Sequence, residues 1–281
     1  MSISLVTRAD DLGSSHAANI AIAGGAVTGD YIKNVSCMAV GPLIEEGSEL
    51  LKDCRHICFG MHATLNAEWD LIKWGPVSPL ESVASLVTPE GAFFSEPAMF
   101  SAHPPELGQI LLEFDRQLDL LTSLGLDIRY VDSHMFPEFF VEGLSQALSD
   151  WARQKGLIDH ISYYRFPGKM EPGSGATFEA SLAAMFTWFD LLKDGCYFSV
   201  MHPAKHSREL LLCKNQRVPA GLVATQRNLE YQLLLSRRLE QYCDEHGTRR
   251  VRYDAAEPQG TTFQQLKYMF RMGSKESQDE Q

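Results

Sequence analysis

The sequence predicts an α/β fold, a distorted or incomplete (β/α) TIM-like barrel with about seven parallel strands. Short runs of β-branched residues alternate with longer amphipathic patterns, which is typical of repeated βα units around a parallel sheet. The length of 281 residues suits one barrel of this kind. Aspartates and histidines follow several of the β-branched runs, where a barrel carries its active site. We therefore expect a single barrel domain over residues 1–272.

The alternation locates the individual elements. The candidate strands are rich in β-branched and aromatic residues and cover Ile3–Thr7, Ile32–Met38, His56–Met61, Ile128–Asp132, Ile161–Arg165, Cys196–Met201 and Arg250–Tyr253. The candidate helices carry apolar residues at a spacing of three to four and cover Ser15–Val27, Leu43–Leu51, Pro105–Leu124, Glu138–Gln154, Phe178–Leu192 and Thr225–Glu245. The apolar stripe of the last helix is predicted to pack against the barrel rather than to form a dimer seam.

Three segments interrupt this pattern. Residues 64–104 are too long for a simple connection, so we expect an insertion that acts as a lid or a substrate-facing surface. Most of its aromatic residues are expected to form a satellite core, while Trp69 and Trp74 are candidate substrate-binding residues. Residues 166–177 are predicted to form a loop rich in Gly and Pro. The polar tail 273–281 lacks apolar anchors and is expected to be disordered.

The composition is that of a globular protein without a nucleic-acid or membrane partner. The formal net charge of -11 opposes binding to a nucleic-acid backbone or to an anionic membrane. Apolar residues make up 44% of the chain, enough for a sizeable core, and no apolar run is long enough to span a bilayer. The six cysteines are scattered, without zinc-ribbon spacing or the density of a disulfide scaffold. No signal-type segment opens the sequence, and we expect a cytoplasmic, reducing location.

The segment VTRADDLG contains two adjacent carboxylates, Asp10 and Asp11, after a strand-like run. Neighbouring side chains of a strand point in opposite directions, so the two carboxylates can take different roles only where the strand ends and the backbone turns. Leu12 and Gly13 indicate that turn. In the alternative reading, one aspartate caps the following helix and the other is solvated.

Further reactive side chains follow the later candidate strands. They are His62 after the third strand, Asp132 and His134 after the fourth, Arg165 at the end of the fifth and His202 at the end of the sixth. The carboxyl ends of parallel strands share one face of a barrel, so these side chains are expected to converge there. A lone histidine at a strand end is more often a satisfied polar residue than a ligand, and the inference depends on all of these segments together.

An aspartate and two histidines are a ligand set for one divalent metal ion that leaves positions open for water and substrate. We expect zinc or magnesium in the first place, with manganese, cobalt or iron as alternatives, although magnesium generally prefers oxygen ligands. Asp10 is available as a general base and His202 as a general acid. Asp132 is either a ligand or a carboxylate that orients an imidazole, and Arg165 either belongs to the site or pairs with a surface carboxylate.

Six short motifs occur in an order that resembles one known family. They are ADDLG, GMHATLN, VDSHMFPE, YRFPG, VMHPAK and TQRNLEYQLL, spread from about Ser4 to about Tyr253. The order resembles that of the YdjC-like carbohydrate deacetylases, the group that includes chitooligosaccharide deacetylase, and more remotely that of the NodB-type polysaccharide deacetylases. The resemblance implies an incomplete or distorted barrel, a divalent metal ion and a homodimeric assembly.

Position by position, the resemblance implies a role for each motif. The residues that would hold the metal ion are Asp11, His62 and His134. Asp10 would be the general base, and Arg165 would orient the base or the substrate. His202 would be the general acid that protonates the leaving group.

These observations lead to the hypothesis of a metal-dependent hydrolase that removes acetyl groups from N-acetylated sugars or small oligosaccharides such as chitooligosaccharides. One alternative is a hydrolase of another amide, an ester or a phosphoester, and a second is a non-catalytic sugar- or metal-binding member of the fold. Arg8, Met135 and Ala204 stand where the family commonly has asparagine, a further histidine and glycine. These departures leave the substrate and the level of activity open.

Overall fold

A curled parallel sheet organises the computed structural model, which describes residues 3–163 and 177–268. The strands are β1 (Ile3–Leu12), β2 (Asn34–Cys37), β3 (Cys58–Ala63), β4 (Ile128–Ser133), β5 (Ile158–Asp159), β6 (Gly195–Met201) and β7 (Arg249–Val251). The helices are α1 (His16–Thr28), α2 (Ile44–Leu51), α3 (Leu107–Ser123), α4 (Leu144–Lys155), α5 (Phe178–Leu191), α6 (Leu222–Ser236) and α7 (Arg238–Glu245). The strand order is β5-β4-β3-β2-β1-β6, with β7 paired to β1. Within the described residues β5 and β6 do not pair, which confirms the predicted incomplete barrel.

β1 is the central strand because it pairs with three others. β6 runs along one of its edges, and the other edge is shared between β7 in the first half and β2 in the second half. The side chain of Asn34 closes this junction: its amide donates to the carbonyl oxygens of Thr7 and Val251. Its carbonyl oxygen accepts the backbone N–H of Tyr253 at 2.8 Å. Three backbone groups at the change of partner are thereby tied to one buried side chain.

Alternate strand residues supply two separate apolar clusters. The first lies between the sheet and the helices and includes Leu5 and Ala9 of β1. The second lies on the opposite face and includes Val6, because successive side chains of a strand alternate between faces. Arg8 and Asp10 follow on the face of Val6, so a polar layer succeeds the apolar one toward the carboxyl end of the strand. Other members of the second cluster are Cys58, Tyr130, Cys196, Phe198 and Tyr253.

The first and fifth strands differ most from the prediction. β1 continues beyond its predicted end to Leu12, because its pairing with β2 extends that far. The predicted strand Ile161–Arg165 is wrong over its described residues, 161–163: the fifth strand is Ile158–Asp159, and His160–Tyr163 form a 3-10 turn. The side chain of Asp159, at the end of the strand, accepts the backbone N–H of Ile161 at 3.1 Å, and this hydrogen bond starts the turn.

The predicted helix Thr225–Glu245 is in fact two helices. Arg237, between α6 and α7, has a φ of 59° in the left-handed region, which ends α6 because the helical hydrogen-bond ladder cannot continue through it. The predicted packing of the apolar stripe against the barrel is confirmed, since Leu233 and Leu239 are buried in the main core. In the described part of the chain, every helix is too short or too polar to cross a membrane.

Residues 64–104 form an insertion built from short 3-10 turns, including Leu80–Ser82 and Pro97–Ser101. Phe93 and Phe100 are each 1% exposed within it. They join the main cluster, so these aromatic residues are buried as expected but belong to the main core and not to a separate satellite core.

Replacing Gly60 by alanine should destabilise the fold. A Cβ on Gly60 would lie 2.2 Å from the ring of Tyr130. This ring is fully buried and stacks on Tyr253, and its hydroxyl forms a hydrogen bond with the Ser36 hydroxyl. The ring therefore has no space into which it could move. We expect Gly60→Ala to lower the free energy of unfolding by about 1–3 kcal/mol, measured by urea denaturation.

Gly108→Ala is the matched control, because nothing lies within 4 Å of a Cβ on Gly108 in α3. It should leave the free energy of unfolding unchanged or raise it slightly, since alanine is the better helix former. Equal stabilities of the two alanine variants would contradict the close packing of Tyr130 against β3.

Candidate metal centre

Asp10 and Asp11 form a bulge within β1. The pairing of β1 with β2 shifts register between Ala9 and Leu12, which leaves the two aspartates in the irregular part. Asp11 has a φ of 68° in the left-handed region. This conformation turns Asp11 toward the same side of the sheet as Asp10, where regular alternation would point it away. A bulge inside the strand, and not the predicted turn at its end, therefore sets the different positions of the two carboxylates.

The predicted ligands Asp11, His62 and His134 converge on one point. His62 lies in β3 and His134 directly follows β4. Asp11 Oδ1 is 3.6 Å from His62 Nε2 and 3.7 Å from His134 Nδ1. The two imidazole nitrogens are 3.1 Å apart, and all three side chains are buried. One atom of each residue lies within 4.8 Å of the other two, close enough for a single ion to contact all three.

Each imidazole is fixed by a carboxylate on its far side. Asp132 Oδ2 is 2.9 Å from His62 Nδ1, and Glu68 Oε2 is 3.1 Å from His134 Nε2. Asp132 contacts His62 because the two residues are direct partners across β3 and β4. Carboxylates in this position orient metal-bound histidines and leave the other ring nitrogen for the metal.

The Asp11 carboxylate has one paired and one unpaired oxygen. Arg227 of α6 donates to Oδ2 at 2.7 Å. Oδ1 is buried and has no hydrogen-bond donor among the residues that the structure describes. Such an oxygen is costly to bury unless a cation satisfies it. A divalent ion between Oδ1 and the two imidazole nitrogens would do so with the mixed donor set that first-row transition metals accept, so the residues present fit a metal ion.

The charges at the centre favour a cation there. Burial alone would lower the pKa of His62, but the charge and hydrogen bond of Asp132, aided by Asp10 and Asp11, outweigh it and raise the pKa to about 9. Burial alone would raise the pKa of Asp11, yet the Arg227 guanidinium, with the neighbouring histidines, holds it far below its usual range. The carboxylate is therefore ionised at any ordinary pH.

Asp10 is held by Arg8, two residues before it in β1. The guanidinium donates from Nε to Oδ1 at 2.6 Å and from Nη2 to Oδ2 at 2.8 Å. The same Nη2 lies 3.0 Å from Asp132 Oδ2, and Nη1 donates to the Tyr253 hydroxyl at 2.9 Å. Such a bidentate contact fixes both the position and the plane of the Asp10 carboxylate.

His202 follows β6 and lies beside Asp10, with its Nε2 3.9 Å from Asp10 Oδ2. Its side chain is 43% exposed, so one side of the imidazole faces solvent. Glu230 of α6 accepts the backbone N–H of His202, and the N–H of Ala204 donates to the carbonyl of Arg227 at 3.1 Å. One turn of α6 therefore holds the loop that follows β6. Through Arg227, the same turn also holds the carboxylate of Asp11.

A pocket opens beside the converging side chains. Asp11 and His134 line it, together with both predicted tryptophans of the insertion, Trp69 and Trp74. Trp74 is 7% exposed and its indole N–H donates to the carbonyl of Asn66 at 2.7 Å, so it forms a fixed wall. Trp69 is half-buried and packs on the main core. The insertion thus borders the candidate metal centre.

Four residues that contact the predicted site are missing from the sequence-based list of site residues: Arg8, Glu68, Arg227 and Glu230. The last two lie in the motif TQRNLEYQLL, whose place in the order of motifs is a signal for them. Glu68 has no such signal, because it reaches His134 from the insertion. Arg165, predicted to orient the base or the substrate, lies outside the described residues.

Replacing Glu230 by glutamine should stabilise the metal-free protein at high pH. Burial raises the pKa of Glu230 to about 7, and the charges of Asp10 and Asp11 contribute. Because this pKa exceeds that of the unfolded chain, wild-type stability falls as the pH rises from about 4.5 to about 7. Glutamine keeps an acceptor for the His202 N–H and does not ionise. We expect a gain of about 1–3 kcal/mol at about pH 8 and none below about pH 4.5.

Urea denaturation across this pH range, in the presence of a chelator, measures the difference. Replacement of the exposed Glu90 by glutamine is the control and should follow the wild type at every pH. A Glu230→Gln variant with the same pH profile as the wild type would show that this carboxyl is not destabilised by burial.

The chain is similar to known proteins in both sequence and fold. The sequence model of one family, described as YdjC-like protein, matches residues 4–245. A carbohydrate deacetylase from Thermoanaerobacter pseudethanolicus is 29% identical over 130 residues, 46% of this chain and 49% of that protein, so the match spans about half its length. The crystal structure of an Enterococcus faecalis V583 protein named for cellobiose-phosphate cleavage has the same fold, with a TM-score of 0.72 and 21% identity over 91% of this chain and 99% of the other. The chain belongs to the YdjC-like family.

Proposed function

We propose that this protein is a metal-dependent hydrolase that removes the acetyl group from an N-acetylated sugar or a small N-acetylated oligosaccharide. The convergence of Asp11, His62 and His134, with Asp10 beside them, is the observation that carries the proposal. Membership of the YdjC-like family and the likeness to a carbohydrate deacetylase favour a sugar substrate.

The metal ion would be held by Asp11 Oδ1, His62 Nε2 and His134 Nδ1. When bound, a divalent ion polarises the amide carbonyl and lowers the pKa of water enough to form a nucleophile near neutral pH. Three protein ligands leave room for water and substrate, as in catalytic rather than structural sites. Zinc and magnesium are the ions to test first, followed by manganese, cobalt and iron.

Asp10 would act as the general base that takes a proton from the attacking water. Its carboxylate shares a side of the sheet with the three ligands, and Arg8 fixes both of its oxygens. Each carboxylate oxygen has two lone pairs, so one remains on each oxygen to accept a proton. A base needs a fixed position of this kind because proton transfer takes place over hydrogen-bond distance.

His202 would act as the general acid. When the C–N bond of the amide breaks, the nitrogen keeps the bonding electrons and takes a proton from the imidazole, so that acetate and a free amine are released. The exposed side of His202 is open to a substrate. Burial lowers the pKa of His202, and the charges of Asp11 and Asp10 oppose that shift by favouring the protonated imidazole. Asp10 and His202 would thus divide the two proton transfers between them.

Trp69 and Trp74 would form the wall against which the apolar face of a sugar ring packs. Both border the pocket that reaches Asp11 and His134. Flat aromatic rings suit a sugar because the C–H groups of the sugar lie on one face of its ring. A cytoplasmic location, a homodimeric assembly, and the absence of nucleic-acid and membrane partners stay predictions.

Release of acetate from a panel of sugars tests the proposal. The panel contains N-acetylglucosamine and its short β-linked oligomers, with O-acetylated and phosphorylated forms of the same sugars as matched controls. We expect acetate and free amine in equal amounts from at least one N-acetylated sugar, and only with a divalent ion present. Release of phosphate alone, or no release from any N-acetylated sugar, would contradict it.

Replacing His134 by alanine should abolish metal retention and turnover together. The change removes one of three ligands, and we expect metal binding at least about 10²-fold weaker, measured by titration calorimetry alongside acetate release. His206→Ala removes an exposed imidazole and serves as the control that keeps both properties. Undiminished deacetylation by the His134 variant would overturn the ligand assignment.

Replacing Asp10 by asparagine should reduce turnover without loss of the metal ion. Asparagine cannot take a proton, so we expect turnover to fall by about 10²–10⁴-fold while the primary metal ion is retained. Metal content of the dialysed variant and its rate of acetate release are the measurements. Loss of the metal ion together with activity would instead make Asp10 a ligand.

A further inference from the structure

The candidate centre contains a second group of side chains that resembles a cation site. Asp10, His62 and Asp132 each place one atom within 4.8 Å of the others, and all are buried. This group shares His62 with the proposed ligand set of Asp11 and His134. Hydrolases with two such overlapping groups commonly hold two metal ions about 3.5–4 Å apart. The acidic side chains alone would therefore predict a two-metal centre.

Arg8 lies within this second group. Its guanidinium contacts Asp10 Oδ1 at 2.6 Å, Asp10 Oδ2 at 2.8 Å and Asp132 Oδ2 at 3.0 Å. Its side chain is 4% exposed, so solvent does not screen these contacts. A guanidinium keeps its positive charge at every physiological pH. The space between the two carboxylates therefore already holds a cation that belongs to the chain.

The surroundings of Arg8 keep the guanidinium in place. Nη1 donates to the Tyr253 hydroxyl at 2.9 Å, and Tyr253 stacks on Tyr130 with 4.1 Å between ring centroids. The guanidinium carbon also lies 5.8 Å from the ring centroid of Phe198, a cation–π distance. Leaving the carboxylates would cost Arg8 all of these contacts and leave two like charges facing each other in a buried site.

The balance of charge agrees with a single metal ion. Among the residues that the structure describes, four carboxylates and two guanidiniums contact one another or the two histidines at the centre, namely Asp10, Asp11, Glu68, Asp132, Arg8 and Arg227. The excess of two negative charges in this described set is what one divalent ion neutralises. A second divalent ion would make the buried centre positive, at a high electrostatic cost.

We propose that Arg8 takes the place of a second metal ion, so that the centre binds one divalent ion and keeps Asp10 out of metal coordination. This rests on the proposed function, because it assumes that Asp11, His62 and His134 hold the first ion. Arg8 is then a positioning residue, which acts on the reaction through Asp10.

Counting bound Mn²⁺ ions tests the proposal without reference to activity. Wild type, Arg8→Gln and Arg8→Lys are titrated with Mn²⁺ alone and followed by calorimetry and electron paramagnetic resonance. We expect one ion with an isolated-ion spectrum in the wild type and in Arg8→Lys, which keeps the charge. Arg8→Gln should bind two ions and give the exchange-coupled spectrum of neighbouring Mn²⁺. A merely structural role for Arg8 would not create a second, coupled ion.

Free guanidinium provides a second measurement in Arg8→Ala, which leaves space for it. Millimolar guanidinium should displace the second Mn²⁺ from this variant and return the count from two to one, whereas urea, its neutral analogue, should not. One ion in every variant, with no effect of guanidinium, would overturn the proposed role of Arg8 and leave the proposed function intact. A wild type that binds no Mn²⁺, Zn²⁺ or Mg²⁺ would overturn the proposed function instead.

Discussion

Consecutive side chains of a regular strand point to opposite faces of a sheet, and β1 departs from this at Asp10 and Asp11. A non-glycine residue in the left-handed region costs about 1–2 kcal/mol, and Asp11 adopts such a conformation. Its ion pair with Arg227 at 2.7 Å stabilises the bulged form. The rest of the centre depends on this bulge, because a regular strand would turn Asp11 away from His62 and His134.

The charged side chains around the bulge are fixed before any ligand binds. His62 is tied to Asp132, and Asp11 is tied to Arg227, in contacts that solvent barely reaches. Removing one partner of a buried pair is strongly destabilising, since the other charge is then left uncompensated. In each proposed ligand, one atom is therefore held by a neighbouring charged side chain, and another atom is directed to the point where the three ligands converge. This is the rigidity that a metal site requires if its geometry is to be reproducible.

The inner face of the barrel changes from apolar to charged along β1. In β1, Val6 belongs to the second apolar cluster, Arg8 lies above it and Asp10 above that. Arg8 joins the two layers because its guanidinium pairs with Asp10 while it lies over Phe198 and bonds Tyr253. A long side chain with a planar charge suits this boundary, since it packs on aromatic rings and bonds carboxylates at the same time.

Local patterns in the sequence were enough to predict the incomplete barrel and the end of it that carries the site. β-branched and amphipathic segments alternate along the chain, and parallel strands bring His62, His134 and His202 to the same face as the tandem aspartates. The contacts that complete the centre were not predictable in this way. The bulge at Asp11 follows from how β1 pairs with β2, and Arg227 reaches the site from a distant helix. Pairing between strands and contacts between remote segments are decided by packing in three dimensions, and neither leaves a periodic signal in the local sequence.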